Sequence, residues 1–121
     1  MSRRHWRQRV ADMIGAIREI QSLARGRDAK QLSEDTASYK AILYNFVILG
    51  EAARQVPDDV AGRAPEIDWP GVRAMRNVVT HVYFGVDAAR VVATIEADLP
   101  ATLEALERLA AIPDSGSGPS S

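Results

Sequence analysis

Apolar residues recur at intervals of three and four from the start of the chain: Trp6, Val10, Met13, Ile14, Ile17, Ile20 and Leu23. That period predicts an amphipathic helix over roughly residues 4–25, ended by Gly26. A short polar connector, residues 27–35, is expected to hold one turn of helix. A second long helix is predicted from Thr36 to Val56, burying Tyr39, Ile42, Leu43, Phe46, Leu49 and Ala53. Val47 and Ile48 widen its apolar surface, which predicts neighbours on two sides. Pro57 stops it.

Residues 57–70 are punctuated by proline and predict a loop with one helical turn. Trp69-Pro70 opens the next helix, since proline suits a first turn. A further stripe, Val91, Val92, Ile95 and Leu99, follows Asp87, and Pro100 either kinks or splits that helix. Its continuation carries Leu103, Leu106, Leu109 and Ile112. Residues 113–121 (PDSGSGPSS) predict a disordered tail by composition. These elements predict an all-α fold, an up-and-down bundle of four to five helices in one domain over residues 1–112.

Composition narrows the possible chemistry. With 46% apolar residues the chain can bury a core, and without cysteine neither a disulfide framework nor a thiolate metal site is open to it. No apolar run approaches the roughly 18 residues of a membrane span, so a soluble cytoplasmic protein is expected. Net charge is −1, so bulk electrostatics do not announce a nucleic-acid binder. Only Lys30 and Lys40 are lysines; the remaining positive charge is arginine, which suits bidentate phosphate contacts, though a genomic bias toward Arg and Ala would give the same composition. The start is basic (Arg3, Arg4, Arg7, Arg9) and the last helix acidic (Glu96, Asp98, Glu104, Glu107). Those ends could meet in the fold, or the basic arm could touch RNA.

One stretch breaks the aliphatic pattern. In Met75–Asp87 (MRNVVTHVYFGVD), Arg76, Asn77, Thr80, His81 and Tyr83 fall within eight positions of an otherwise apolar run. Read as an α-helix, it puts Asn77 one turn before His81 on the same face, where the amide can hold the imidazole in one tautomer. Arg76 and His81 are then about 140° apart around the axis, so one helix would not force them together. Gly85 is a candidate left-handed cap and Asp87 the N-cap of the following helix. In a bland alternative, Arg76 pairs with a carboxylate of the second helix, Glu51 being the obvious one, and His81 caps a helix end. Glu51 reads either as the group that orients Arg76 or as a surface acid. Phe84 reads as core, and His5 as solvated, without partners at ligand spacing. No His or carboxylate pair has metal-ligand spacing and no glycine-rich phosphate loop exists, so no metal and no cofactor is expected.

The stretch resembles the R-x4-H-x-Y signature of HepT-like proteins in the HEPN superfamily. "ILGEAA" (Ile48–Ala53), "PEIDW" (Pro65–Trp69) and "DLP" (Asp98–Pro100) are similar to that family too, and the likeness covers roughly residues 8–112. Ala74 stands where glycine is common and Val92 where an aromatic is frequent; both bear on packing rather than on the polar residues. The resemblance implies a helical bundle that pairs as a two-fold homodimer. It implies a ribonuclease toxin whose Arg76 and His81 are essential. It also implies a minimal nucleotidyltransferase antitoxin that transfers AMP to Tyr83. Non-catalytic members exist as well, so a nucleotide- or RNA-binding module is the alternative.

The residues suit the same chemistry. The unperturbed pKa of an imidazole lies near neutrality, so His81 is the natural general acid or base. Arg76 can hold a phosphate and stabilise charge on its oxygens. Together they fit a metal-independent attack of a ribose 2′-hydroxyl on the adjacent phosphorus, leaving a 2′,3′-cyclic phosphate. That reaction requires both an acid and a base, and one chain brings one motif histidine; a two-fold dimer would bring the second. Tyr83 has a bland role too, closing the bundle end with its hydroxyl in water.

Overall fold

The computed structural model describes residues 5–77 and 88–113. Among these, seven α-helices and one 3-10 turn occur and no strand. They are α1 (Trp6–Ala24), α2 (Ala29–Glu34), α3 (Thr36–Arg54), α4 (Asp58–Ala61), α5 (Trp69–Ala74), the 3-10 turn Met75–Asn77, α6 (Ala88–Ala97) and α7 (Leu99–Ala110). The all-α bundle expected from periodicity is the architecture observed. None of these helices is long and apolar enough to cross a membrane.

α1 and α3 form the central pair, with α7 against α1 and α5 against α3. The stripe read from α1 is the one it buries: Trp6, Val10, Met13, Ile17 and Ile20 face the core, with Ile14 and Leu23 half-covered. Opposite them α3 buries Ile42, Leu43, Phe46, Leu49 and Ala53, and α7 contributes Leu99, Leu106 and Leu109. Truncating a side chain such as Phe46 or Met13 to alanine in a core packed this way costs about 2–5 kcal/mol. Leu32, fully buried, makes the short α2 a plug between α3 and α6.

Local chemistry explains the breaks. Gly26 has φ +73, a left-handed residue just past α1 that glycine adopts without a Cβ penalty. Asp28 and Gln31 form a reciprocal capping box at the start of α2. α3 ends at Arg54, two residues short of the expected Val56, because Val56 precedes Pro57 and is steered out of helical geometry. Pro100 resolves its two possibilities as a split: α6 stops at Ala97 and α7 starts at Leu99. The basic start and the last helix do meet. Arg7, stacked on Trp6, donates to the carbonyls of Ala110 (3.1 Å) and Ile112 (2.6 Å), and Arg18 pairs with Glu107.

Asp35 ends α2 and starts α3. Its carboxylate accepts from the Ser38 amide (3.2 Å) and hydroxyl (2.9 Å) and pairs with Arg27 (2.7 Å). The Ser38 amide first, then its hydroxyl and Arg27, hold the Asp35 pKa below the ordinary carboxylate value. A lowered folded-state pKa contributes stability that is present above the unfolded value, about 4, and is lost as pH falls through the lowered one. Asp35→Ala should therefore melt below wild type at pH 7. The gap should close as the solution is acidified below pH about 4, and a gap that persists at low pH would show that the carboxylate's charge is not its source.

Candidate functional site

The chain enters the site through α5, and three contacts place that helix. Asp68 caps it, accepting from the Gly71 amide at 3.1 Å, and Pro70 occupies its first turn. The Trp69 indole is buried and donates to the Ala64 carbonyl at 3.1 Å. Arg73 reaches the C-terminal end of α3, donating to Ala53 O (3.1 Å) and Val56 O (3.3 Å) while lying over the Trp69 ring. A guanidinium there adds a second donor to the Ala53 carbonyl, which also accepts from the Val56 amide, and places positive charge at the C-terminal end of α3, where it complements the helix dipole.

α5 was expected to run on through the motif. At Met75–Asn77 it tightens to a 3-10 turn, and the rest of the motif, residues 78–87, lies outside the described residues. This turn packs on α3 at closest approach: a Cβ built on Gly50 would lie 2.4 Å from the Arg76 backbone nitrogen. Only glycine lets the two backbones come so near. One residue further along α3, Glu51 receives the Arg76 side chain at 2.9 Å.

Arg76 and Glu51 are thus brought together, the pairing expected both by the bland alternative and by the reading of Glu51 as the group that orients Arg76. Both are partly open, at 39% and 44% exposure, and ion pairs so exposed add only about 0–1 kcal/mol. The pair fixes where the guanidinium points more than it stabilises the fold, and it leaves the group in reach of a ligand in solvent. Asn77 is exposed beside it. His81 and Tyr83 lie outside the described residues, as do Thr80, Phe84, Gly85 and Asp87; the expected Asn77–His81 stacking falls there too. His5 precedes α1 and caps nothing with its side chain.

Sequence reasoning missed Arg73 and the role of Gly50. A glycine inside an aliphatic helix was the available signal for the second, since it costs about 1 kcal/mol against alanine and so implies a packing reason. A cavity of about 610 Å³ lies between α5, α6 and α7 over Phe46, Val72 and Val91, but neither Arg76 nor Glu51 lines it. Three carboxylates, Glu66, Asp68 and Asp98, line it against one arginine, Arg90, a balance unfavourable to a phosphate. The Arg76–Glu51 pair, not this cavity, is the candidate site.

The all-α bundle of the described residues is of the HEPN-like class. Within it the particular assignment is direct: residues 13–109 match the family model described as Ribonuclease HepT-like, and the chain belongs to that family. It is 30% identical to a probable ribonuclease HepT of Thermococcus cleftensis, over 90% of this chain and 98% of that protein. Two putative RNases of Methanocaldococcus jannaschii are 23% and 24% identical to it, the first over 72% of both chains, the second over 90% of this chain and 94% of its own. No solved structure matches the chain.

Proposed function

We propose that the protein is a metal-independent endoribonuclease, the cytoplasmic toxin half of a pair whose antitoxin is a minimal nucleotidyltransferase. The observation that carries this reading is Arg76, held by Glu51 at an open surface at the end of α5 in a chain of a ribonuclease family. The guanidinium donates to the non-bridging oxygens of a phosphodiester. The His81 imidazole removes the 2′-hydroxyl proton as the oxygen attacks phosphorus. The bond to the 5′-oxygen breaks, and that oxygen takes a proton from a second imidazole, His81 of a second copy. The products are a 2′,3′-cyclic phosphate and a 5′-hydroxyl. Asn77 orients the imidazole. The test is RNA cleavage in EDTA by wild type against His81→Ala and Arg76→Ala.

In the same reading Tyr83 is the acceptor of AMP, which adds a negative charge and bulk beside the phosphate site and excludes RNA. Co-expression with the cognate nucleotidyltransferase should add one or more AMP masses to the intact protein, mapped by peptide sequencing to Tyr83 and absent from Tyr83→Phe. An adduct at another residue would remove this part of the proposal. A second reading is a non-catalytic nucleotide- or RNA-binding module that docks a nucleotidyltransferase. It is favoured by one observation, that Glu51 already satisfies the guanidinium. RNA binding without cleavage would support it.

A further inference from the structure

Ion pairs occupy Arg9, Arg18, Arg27, Arg73, Arg76 and Arg108. Arg54 is not among them. It is exposed in the last turn of α3, and no carboxylate among the described residues pairs with it. It stands one turn beyond Glu51 on the same face, with about 5–6 Å between the two Cβ positions, and Glu51 is the carboxylate that holds Arg76. Arg73 comes up against the same end of the helix, bonded to the carbonyls of Ala53 and Val56. Three guanidiniums therefore gather on the last two turns of α3.

The local charges decide whether one of them is left for a ligand. Arg76 faces Glu51. Arg54 and Arg73 share the end of α3, which carries about half a negative charge, and Arg73 also faces Asp58 at 3.7 Å. Asp58 is 98% exposed, so water and salt screen it from anything further off. Two guanidiniums against half a charge and a screened carboxylate leave positive charge to spare. A shallow groove of about 560 Å³ opens there, lined by Arg54, Gln55, Val56, Pro57, Asp58 and Arg73. Its balance, two arginines to one aspartate, is the reverse of that in the cavity between α5, α6 and α7. The helix dipole alone would account for a cation in the last turn of α3. It does not account for the groove, or for Arg76 one turn away.

We infer that Arg54 and this groove bind the phosphate next to the scissile one, so that a single RNA strand crosses the end of α3 from Arg76 to Arg54. The inference rests on the nuclease reading for the identity of the strand. Neighbouring phosphates are one sugar-phosphate repeat apart, a gap that arginines one helical turn apart span with their long stems. A guanidinium suits the contact, since it donates two parallel N–H bonds to the oxygens of one phosphate. A strand held at two points cannot slide, so the second contact fixes which bond lies before Arg76. Arg54 holds substrate and takes no part in bond breaking.

The experiment compares the full chain with its Arg54→Ala variant on a ribodinucleotide, which has one phosphodiester, and a ribotrinucleotide, which has two. Wild type should favour the longer substrate in kcat/KM. Arg54→Ala should lose about fivefold of that preference, through KM, the upper range for an exposed ion pair. Binding of a 2′-deoxy oligonucleotide, which lacks the attacking hydroxyl, is then followed across salt concentrations. Removing one phosphate contact should make the slope of log affinity on log salt shallower by about 0.7. Arg54→Lys should keep most of the wild-type slope. Arg25→Ala, which removes an exposed arginine just past α1 and beside α2, should keep all of it. Equal losses on both substrates, an unchanged slope, or the same loss from Arg25→Ala overturns the subsite. So does a variant that only melts at lower temperature, since Arg54 then serves the helix end alone. A wild type that binds the 2′-deoxy strand with an Arg54-dependent slope but cleaves no RNA strikes the nuclease reading and leaves the subsite standing. A wild type that cleaves RNA no differently from Arg54→Ala strikes the subsite alone.

Discussion

His81→Ala and Arg76→Ala are expected to lower RNA cleavage in EDTA by roughly 10²–10⁴-fold each, the range that removal of a general acid–base or of an oxyanion-stabilising group produces. The two losses should differ in kind. Without the imidazole the chemical step slows while RNA still binds. Without the guanidinium a phosphate contact goes too, so binding weakens and becomes less steeply dependent on salt. Glu51→Gln should fall between wild type and Arg76→Ala, because it keeps the side chain's shape and loses the charge that orients Arg76. Equal cleavage by wild type and both alanine variants would mean the activity belongs to a contaminant.

Gly50→Ala is the second large effect, and two opposing terms decide its sign. Alanine in place of glycine inside a helix stabilises by about 1 kcal/mol. Against that stands a Cβ 2.4 Å from the Arg76 nitrogen, with the Arg76 Cα and Cβ at 3.0 Å. Two of those atoms are backbone and no rotamer change relieves them, so the turn must move off α3. Overpacking of this kind costs about 1–3 kcal/mol, which outweighs the propensity gain. A displaced turn also moves the guanidinium, and on the proposed nuclease reading an error of about 1 Å there costs on the order of 10²-fold in rate. Gly15→Ala is the matched control: it lies inside α1 with nothing near its Cβ, and should raise the melting temperature by a few degrees. If Gly50→Ala were stabilised as much as Gly15→Ala and cleaved RNA normally, the close approach would have no part in holding the site.

Those two glycines show where sequence reading succeeds and where it stops. The helix spacing of Val10, Met13, Ile17 and Ile20 is a local property, so the buried stripe of α1 was legible residue by residue. Gly26 was legible for the same reason, standing where a periodic pattern ends. Gly15 and Gly50 look alike in sequence, each inside an apolar helix, and only the path of a segment 25 residues further on separates them. Arg73 was invisible on the same ground: its acceptors, the carbonyls of Ala53 and Val56, lie 20 and 17 residues away in the chain and meet it only in the packed fold. Glu51 was within reach because a carboxylate on a mostly apolar helix has few cations to choose from. The end of α5 at Ala74 was hidden by the aliphatic run that continues past it, which is equally suited to an α-helix. For His81, Tyr83 and the rest of the signature, the family and its residue spacing remain the guide.

Residues 7 and 112 are hydrogen-bonded neighbours, and this has a consequence for how the domain can be handled. A helical domain whose first and last described turns share one pole can be closed by a short glycine-serine bridge between them and reopened at a surface turn, giving a circular permutant with its helices in the same places. Fused partners placed before or after the domain would likewise emerge from the same side. An extension joined before α1 or after α7 therefore burdens one pole of the bundle and leaves the other bare.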